Sequence, residues 1–168
     1  ALMAGCSSWN PFASKDPKVE PAKLVELKSS IAVRDAWKYS IGKAGVYAFT
    51  PALAGSSLYV VNADGALARL DAASGRETWR VKAGSDITSS AGSDGSVVAV
   101  GAAKGAVLAF DADGKQLWKA QASSEVLTAP VVGQGVVVVR SVDNRIVGFD
   151  ARTGERKWTV QRATPALT

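Results

Sequence analysis

Asp71-Ala72-Ala73-Ser74-Gly75-Arg76-Glu77-Thr78-Trp79 is a phrase that the chain repeats. Asp111-Ala112-Asp113-Gly114-Lys115-Gln116-Leu117-Trp118 is one residue shorter, and Asp150-Ala151-Arg152-Thr153-Gly154-Glu155-Arg156-Lys157-Trp158 restores the full length. An Asp in this position accepts hydrogen bonds from the backbone N–H groups that follow it, and Gly supplies the positive φ that closes a tight reversal. Each phrase therefore reads as a turn from which a strand departs carrying Trp. Counting Trp37 as well, the four Trp residues recur about every 40 residues, the mark of a repeat whose units bury their apolar faces against one another.

Upstream of each Asp the likeness continues. Gly65, Gly105 and Asn144 each stand six residues before a repeat Asp and suit a left-handed turn joining two more strands. Ahead of them lie Leu58-Tyr59-Val60-Val61, Val97-Val98-Ala99-Val100 and Val136-Val137-Val138-Val139, β-branched runs too short for helices. A further short strand fits around Thr50-Pro51-Ala52-Leu53, around Ser90 and Ala91, and around Thr128 to Val132. Four antiparallel strands per unit make a β-propeller blade, so the fold class is all-β. Residues 45–168 are read as blades 1 to 3 and the start of a fourth. Closed rings use about 4 to 8 blades, so the chain is expected to be the N-terminal part of a longer protein.

Composition narrows the chemistry. With 47% hydrophobic residues the chain can bury a core, and 20 Lys and Arg against 15 Asp and Glu leave it mildly basic. The basic residues are scattered over turns and strand ends without a stripe of exposed aromatics, which argues against a nucleic-acid partner. A single Cys and no His rule out an intrachain disulfide, Cys-His metal spacings and His-based triads within this sequence. The carboxylates sit where turns need acceptors. No catalytic constellation emerges, and the reading carries no cofactor and no metal.

Ala1-Leu2-Met3-Ala4-Gly5-Cys6 places small residues directly before the lone Cys and apolar ones before those, similar to the bacterial lipobox. Residues 1–5 are thus expected to be the remnant of a signal peptide, and Cys6 the lipidated residue; the alternative is an ordinary free thiol. Residues 6–30 hold Pro11, Pro17 and Pro21 with no sustained apolar period, which suits an anchor followed by a flexible tether. Trp9 and Phe12 suit a membrane interface or a merely sticky tail. No run of about 18 apolar residues is present to span a bilayer. Residues 31–44 carry Trp37 without an Asp and Gly turn ahead of it and are expected to form a lone strand of the kind that closes a propeller ring.

Lipobox, Pro-containing tether, isolated Trp segment and Asp-Ala-x-x-Gly-x-x-x-Trp units together resemble the BamB family of outer-membrane assembly lipoproteins of Gram-negative bacteria. The resemblance covers the whole chain. Trp158 to Thr168 is similar to the stretch leading into that family's partner-binding Pro-x-Leu-x-Leu-Arg loop, of which Pro165 and Leu167 are present. The resemblance implies an eight-bladed, non-catalytic propeller lipid-anchored at the periplasmic face of the outer membrane. It further implies a periplasmic POTRA domain of BamA as the partner bound at Pro165 and Leu167, and nascent outer-membrane proteins as a second class of partner. Leu167 has a second reading, as the first core residue of the next blade. The repeat phrase is shared with PQQ-dependent dehydrogenases, so a fragment of such an enzyme is one alternative; a repeat-containing periplasmic sensor or binding domain is another.

Overall fold

The computed structural model describes residues 24, 25 and 31–161. The chain divides into two compact units, Ala1–Arg34 and Asp35–Thr168. In the first, the described apolar residues Leu24, Val25, Ile31 and Val33 are exposed. Among its described residues the second holds twelve strands in three four-stranded antiparallel sheets, each strand hydrogen-bonded within its sheet to the next in chain order.

The first blade is β1 (Ala52–Ala54), β2 (Ser57–Val61), β3 (Ala66–Asp71) and β4 (Glu77–Lys82). The second is β5 (Gly92–Ser93), β6 (Val97–Ala102), β7 (Ala106–Asp111) and β8 (Gln116–Gln121). The third is β9 (Val131–Gly133), β10 (Val136–Arg140), β11 (Arg145–Asp150) and β12 (Arg156–Gln161). The second and third turns of each blade carry the left-handed residues that the repeat provides, with Gly65, Asn144, Gly75, Gly114 and Gly154 all at positive φ.

Side chains alternate across a strand, so a blade between two others must be apolar on both faces. The middle blade meets that demand, since all six residues of β6 are buried. Val98, Val100, Leu108 and Phe110 join Tyr59, Val61 and Leu67 of the first blade in one core. Val97, Ala99, Val107 and Ala109 join Val137, Val139, Val147 and Phe149 of the third in another. The outer strands are more open, and every residue of β12 is exposed.

Residues 31–44 run without a strand in this chain. A strand exists only where a neighbour receives its backbone N–H and C=O groups, and no described strand runs beside this segment. Side chains hold it instead. The Trp37 indole N–H donates to the carbonyl of Ala72 (3.2 Å), and Asn62 Nδ2 donates to the carbonyl of Ile41 (2.9 Å). Tyr39 meets Glu77 and receives a hydrogen bond from Arg80 Nη2 (2.7 Å).

Candidate functional site

Each repeat Asp organises its own turn. Asp71 Oδ1 accepts from the Ser74 amide (2.9 Å) and hydroxyl (2.6 Å). Asp111 Oδ1 accepts from the amides of Asp113 (3.0 Å) and Lys115 (2.9 Å), and Asp150 Oδ1 from those of Arg152 and Thr153 (both 3.0 Å). Asp150 Oδ2 also accepts from Lys157 Nζ (3.0 Å). The Ser74 hydroxyl and amide hold the Asp71 carboxyl below its ordinary range, and the Lys157 ammonium, followed by the two turn amides, does the same for Asp150.

Turns shaped in this way form sockets for the Trp of the preceding unit. Trp79 Nε1 donates to the Ala112 carbonyl (2.8 Å) and Trp118 Nε1 to the Ala151 carbonyl (2.8 Å), repeating what Trp37 does at Ala72. The repeat Gly lies beneath each ring. A Cβ on Gly75 would stand 2.4 Å from Trp37, one on Gly114 3.0 Å from Trp79, and one on Gly154 2.6 Å from Trp118. Gly thus serves the positive φ and the close approach of an indole together. Trp158 has no such socket among the described residues; its ring lies against Gly148 of its own sheet and is 41% exposed.

At the opposite end of the sheets, the turns joining second to third strands emerge together with the segments that lead from one blade to the next. Between the second and third blades these segments surround a hollow of about 260 Å³ lined by Leu127, Thr128, Arg140, Ser141 and Val142. Leu127 and Val142 are exposed apolar side chains on its rim. The polar side chains beside it are tied to one another. Ser141 Oγ donates to Asp143 Oδ1 (2.6 Å), Ser123 Oγ lies 3.0 Å from Ser141 Oγ, and Arg140 Nη2 donates to Asn144 Oδ1 (2.9 Å). Hydroxyl donation from Ser141 keeps the Asp143 carboxyl below its ordinary range. Among the described residues, no group of three or more acidic or Cys side chains is placed to hold a metal ion.

A family model described as outer membrane protein assembly factor BamB matches residues 34–91 and 63–168, which together take in most of the chain. The chain belongs to the BamB family. A BamB of Burkholderia pseudomallei is 44% identical over 165 residues, 98% of this chain and 42% of the relative. A BamB of Bordetella pertussis matches with the same identity and the same coverage. The chain therefore spans about two fifths of the length of these BamB relatives. Among solved structures, BamB from Moraxella catarrhalis is similar at a TM-score of 0.62 and 22% identity, over 70% of this chain and 36% of that one. A europium-containing methanol dehydrogenase is similar at 0.64 and 23%, over 79% of this chain and 27% of that one. At such identities the likeness speaks for the propeller fold alone.

Three of the residues singled out from the sequence for the BamB-like function, Cys6, Pro165 and Leu167, lie outside the described residues. The repeat residues Asp71, Gly75, Trp79, Asp111, Gly114, Trp118, Asp150, Gly154 and Trp158 all lie within them. Trp79 and Trp118 are brought onto the Ala and Gly of the next unit's phrase, whereas Trp158 is not.

Sequence reading missed two features. Thr78, Leu117 and Lys157 are each skipped in the pairing of third with fourth strand, a bulge one residue before each of Trp79, Trp118 and Trp158. Such a bulge re-aims the side chain that follows it. Arg69 is the other omission, for its Nη1 donates to the same Ala112 carbonyl (3.0 Å) that receives Trp79. The recurring position before Trp was a legible signal for the first; nothing local pointed to the second.

Proposed function

We propose that the protein works without catalysis as an accessory lipoprotein of the outer-membrane β-barrel assembly machinery, held by acyl chains on Cys6 at the periplasmic face of the outer membrane. On this reading it binds a POTRA domain of BamA through the loop that begins at Pro165, with Leu167 as an apolar anchor, and thereby assists the insertion of nascent outer-membrane proteins. The single observation carrying it is the match to curated BamB relatives at 44% identity along nearly all of this chain. Two physical features agree with it. Segments between blades are not committed to sheet pairing and are free to present side chains to a partner. One acyl chain anchors only marginally, so a stably held lipoprotein needs two or more on its terminal Cys.

Leu167→Ala in the full-length protein tests the reading. It is expected to weaken binding to isolated BamA POTRA domains by about 1 to 3 kcal/mol in calorimetry, while the melting temperature stays nearly unchanged. A variant that loses several degrees of stability yet binds normally places Leu167 in the core and moves the interface elsewhere.

A further inference from the structure

The first and second blades present different side chains to the blade that follows them. Ser57 and Tyr59 of β2 pair with Asp71 and Arg69 of β3, and Val97 and Ala99 of β6 stand at the same ladder positions, opposite Asp111 and Ala109 of β7. Ala109 thus holds in the second blade the place of Arg69 in the first. Arg69 reaches across the boundary to the second blade: its Nε donates to Ser57 Oγ (2.9 Å) and its Nη1 to the Ala112 carbonyl (3.0 Å), which also accepts the Trp79 indole N–H. A carbonyl oxygen has two lone pairs, and both are engaged at Ala112. The matching carbonyl one blade on, that of Ala151, accepts from Trp118 and from no second donor among the described residues. At this second boundary lies a groove of about 460 Å³, lined by Asp94, Ser96 and Val97 of the second blade and by Asp150, Ala151 and Arg152 of the third. Val97 and Ala151 are the counterparts of the two residues that Arg69 bonds, so the groove stands where a second Arg69 would lie.

We propose that this groove binds an arginine side chain of a partner polypeptide, whose guanidinium donates to the Ala151 carbonyl and to Asp94. The carboxylate is suited to the task. Asp94 Oδ1 accepts from the Ser96 amide (2.9 Å), the Ser96 hydroxyl (2.8 Å) and the Val97 amide (2.9 Å), whereas its Oδ2 meets no donor among the described residues. Asp150, by contrast, commits Oδ1 to its own turn and Oδ2 to Lys157. Arg69 shows in the same molecule that such a boundary accepts a guanidinium, whose fork of N–H groups reaches two acceptors where the ammonium of lysine is a point charge. The groove is wider than one side chain needs, which leaves room for the backbone on either side of the arginine. Arg152, exposed on the rim, repels a second cation and favours an acidic residue beside that arginine. The groove opens where first strands turn into second and third into fourth, and β12 leaves its sheet at the other end, so the inference is independent of the partner loop proposed above.

Titration of the full-length protein with the peptide acetyl-Gly-Arg-Gly-amide, followed through the backbone amide resonances of Ser96, Gly135 and Arg152, tests the proposal. The peptide is expected to shift these signals saturably. The same peptide with citrulline in place of arginine keeps the shape and loses the charge, and is expected to bind about tenfold more weakly. Asp94→Asn keeps the oxygen that caps the turn and should weaken the arginine peptide by about threefold to tenfold. Arg152→Ala should leave its affinity unchanged or raise it. Groove signals that do not move, or a citrulline peptide that binds as well as the arginine one, overturn the proposal. So does a loss of binding in Arg152→Ala but not in Asp94→Asn, which would give the groove to an anionic ligand.

Discussion

Trp118 and Trp158 hold the same place in successive copies of one repeat, and they are held differently. Trp118 is 7% exposed, lies over Gly154 of the next blade, packs against Phe149 at a centroid distance of 5.9 Å and gives its indole proton to Ala151. Trp158 follows the same bulge on the same strand of its own blade. It stays 41% exposed and turns over Gly148, because the described residues offer it no Asp-Ala-x-x-Gly turn beyond its own sheet. The side chain is the same, so the difference lies wholly in what the following unit supplies. A blade of this repeat is half of a joint, and the stability of a Trp belongs to the pair of blades it spans.

Replacing the two residues is the strongest way to break that comparison. Trp118→Ala removes a buried ring and strands the Ala151 carbonyl, at an expected cost of about 3 to 5 kcal/mol in denaturant titration. In the 168-residue chain Trp158→Ala is expected to cost only about 1 kcal/mol, in keeping with a ring that remains half in water. In a full-length protein that supplies a further turn after Trp158, the gap between the two variants should close. Equal costs in the short chain would show that the indole is stabilised within its own sheet and that the socket contributes little.

The socket itself is tested through its Gly. Gly154 sits at φ +75° beneath the Trp118 ring, while Gly84 sits at φ +69° with nothing within 4 Å of an added Cβ. Gly84→Ala therefore measures the backbone penalty alone, about 1 to 2 kcal/mol. Gly154→Ala adds the displacement of an indole and should cost about 2 to 4 kcal/mol in the same titration. Equal losses at the two sites would mean that the ring moves aside freely, and the close approach would then carry no energy.

Much of this was readable in advance, for identifiable reasons. The Asp, Gly and Trp phrase named the turn and the strand because both obey local rules, side-chain capping of a reversal and positive φ at Gly. Valine runs such as Val136 to Val139 marked inner strands because no helix is that short. What stayed hidden depends on neighbours in space. The period locates Trp79 without saying that Ala112 receives its proton, since the acceptor lies 33 residues on in another sheet. The spacing of Trp37 marks it as a repeat residue without saying that the Ala72 carbonyl accepts its indole N–H, and a strand there would need a partner that the described residues do not include. Ile87 and Val126 fall in linking segments whose composition reads as loop, yet both are fully buried, and only the neighbouring blades in space reveal it.

The smallest expected effect separates two turns that look alike. Asp71 is held below its ordinary range mainly by a neutral hydroxyl, that of Ser74, and Asp150 mainly by the charged Lys157. A carboxyl with a depressed pKa in the folded chain lends stability that is fully present above its unfolded value near 4 and is lost as pH falls through the folded one. Asn keeps the oxygen that accepts the turn amides and removes the charge, so Asp150→Asn isolates the pair with Lys157. Above about pH 4 the variant should melt slightly below the parent, and the two curves should converge as the pH is lowered further. Raising the ionic strength to about 1 M should shrink the Asp150→Asn difference, because both partners of that pair are exposed and screened, while an Asp71→Asn difference should change much less. If salt leaves the Asp150→Asn difference intact, then the ammonium at Lys157 is not what lowers Asp150, and the two turns would be stabilised by their amides alike.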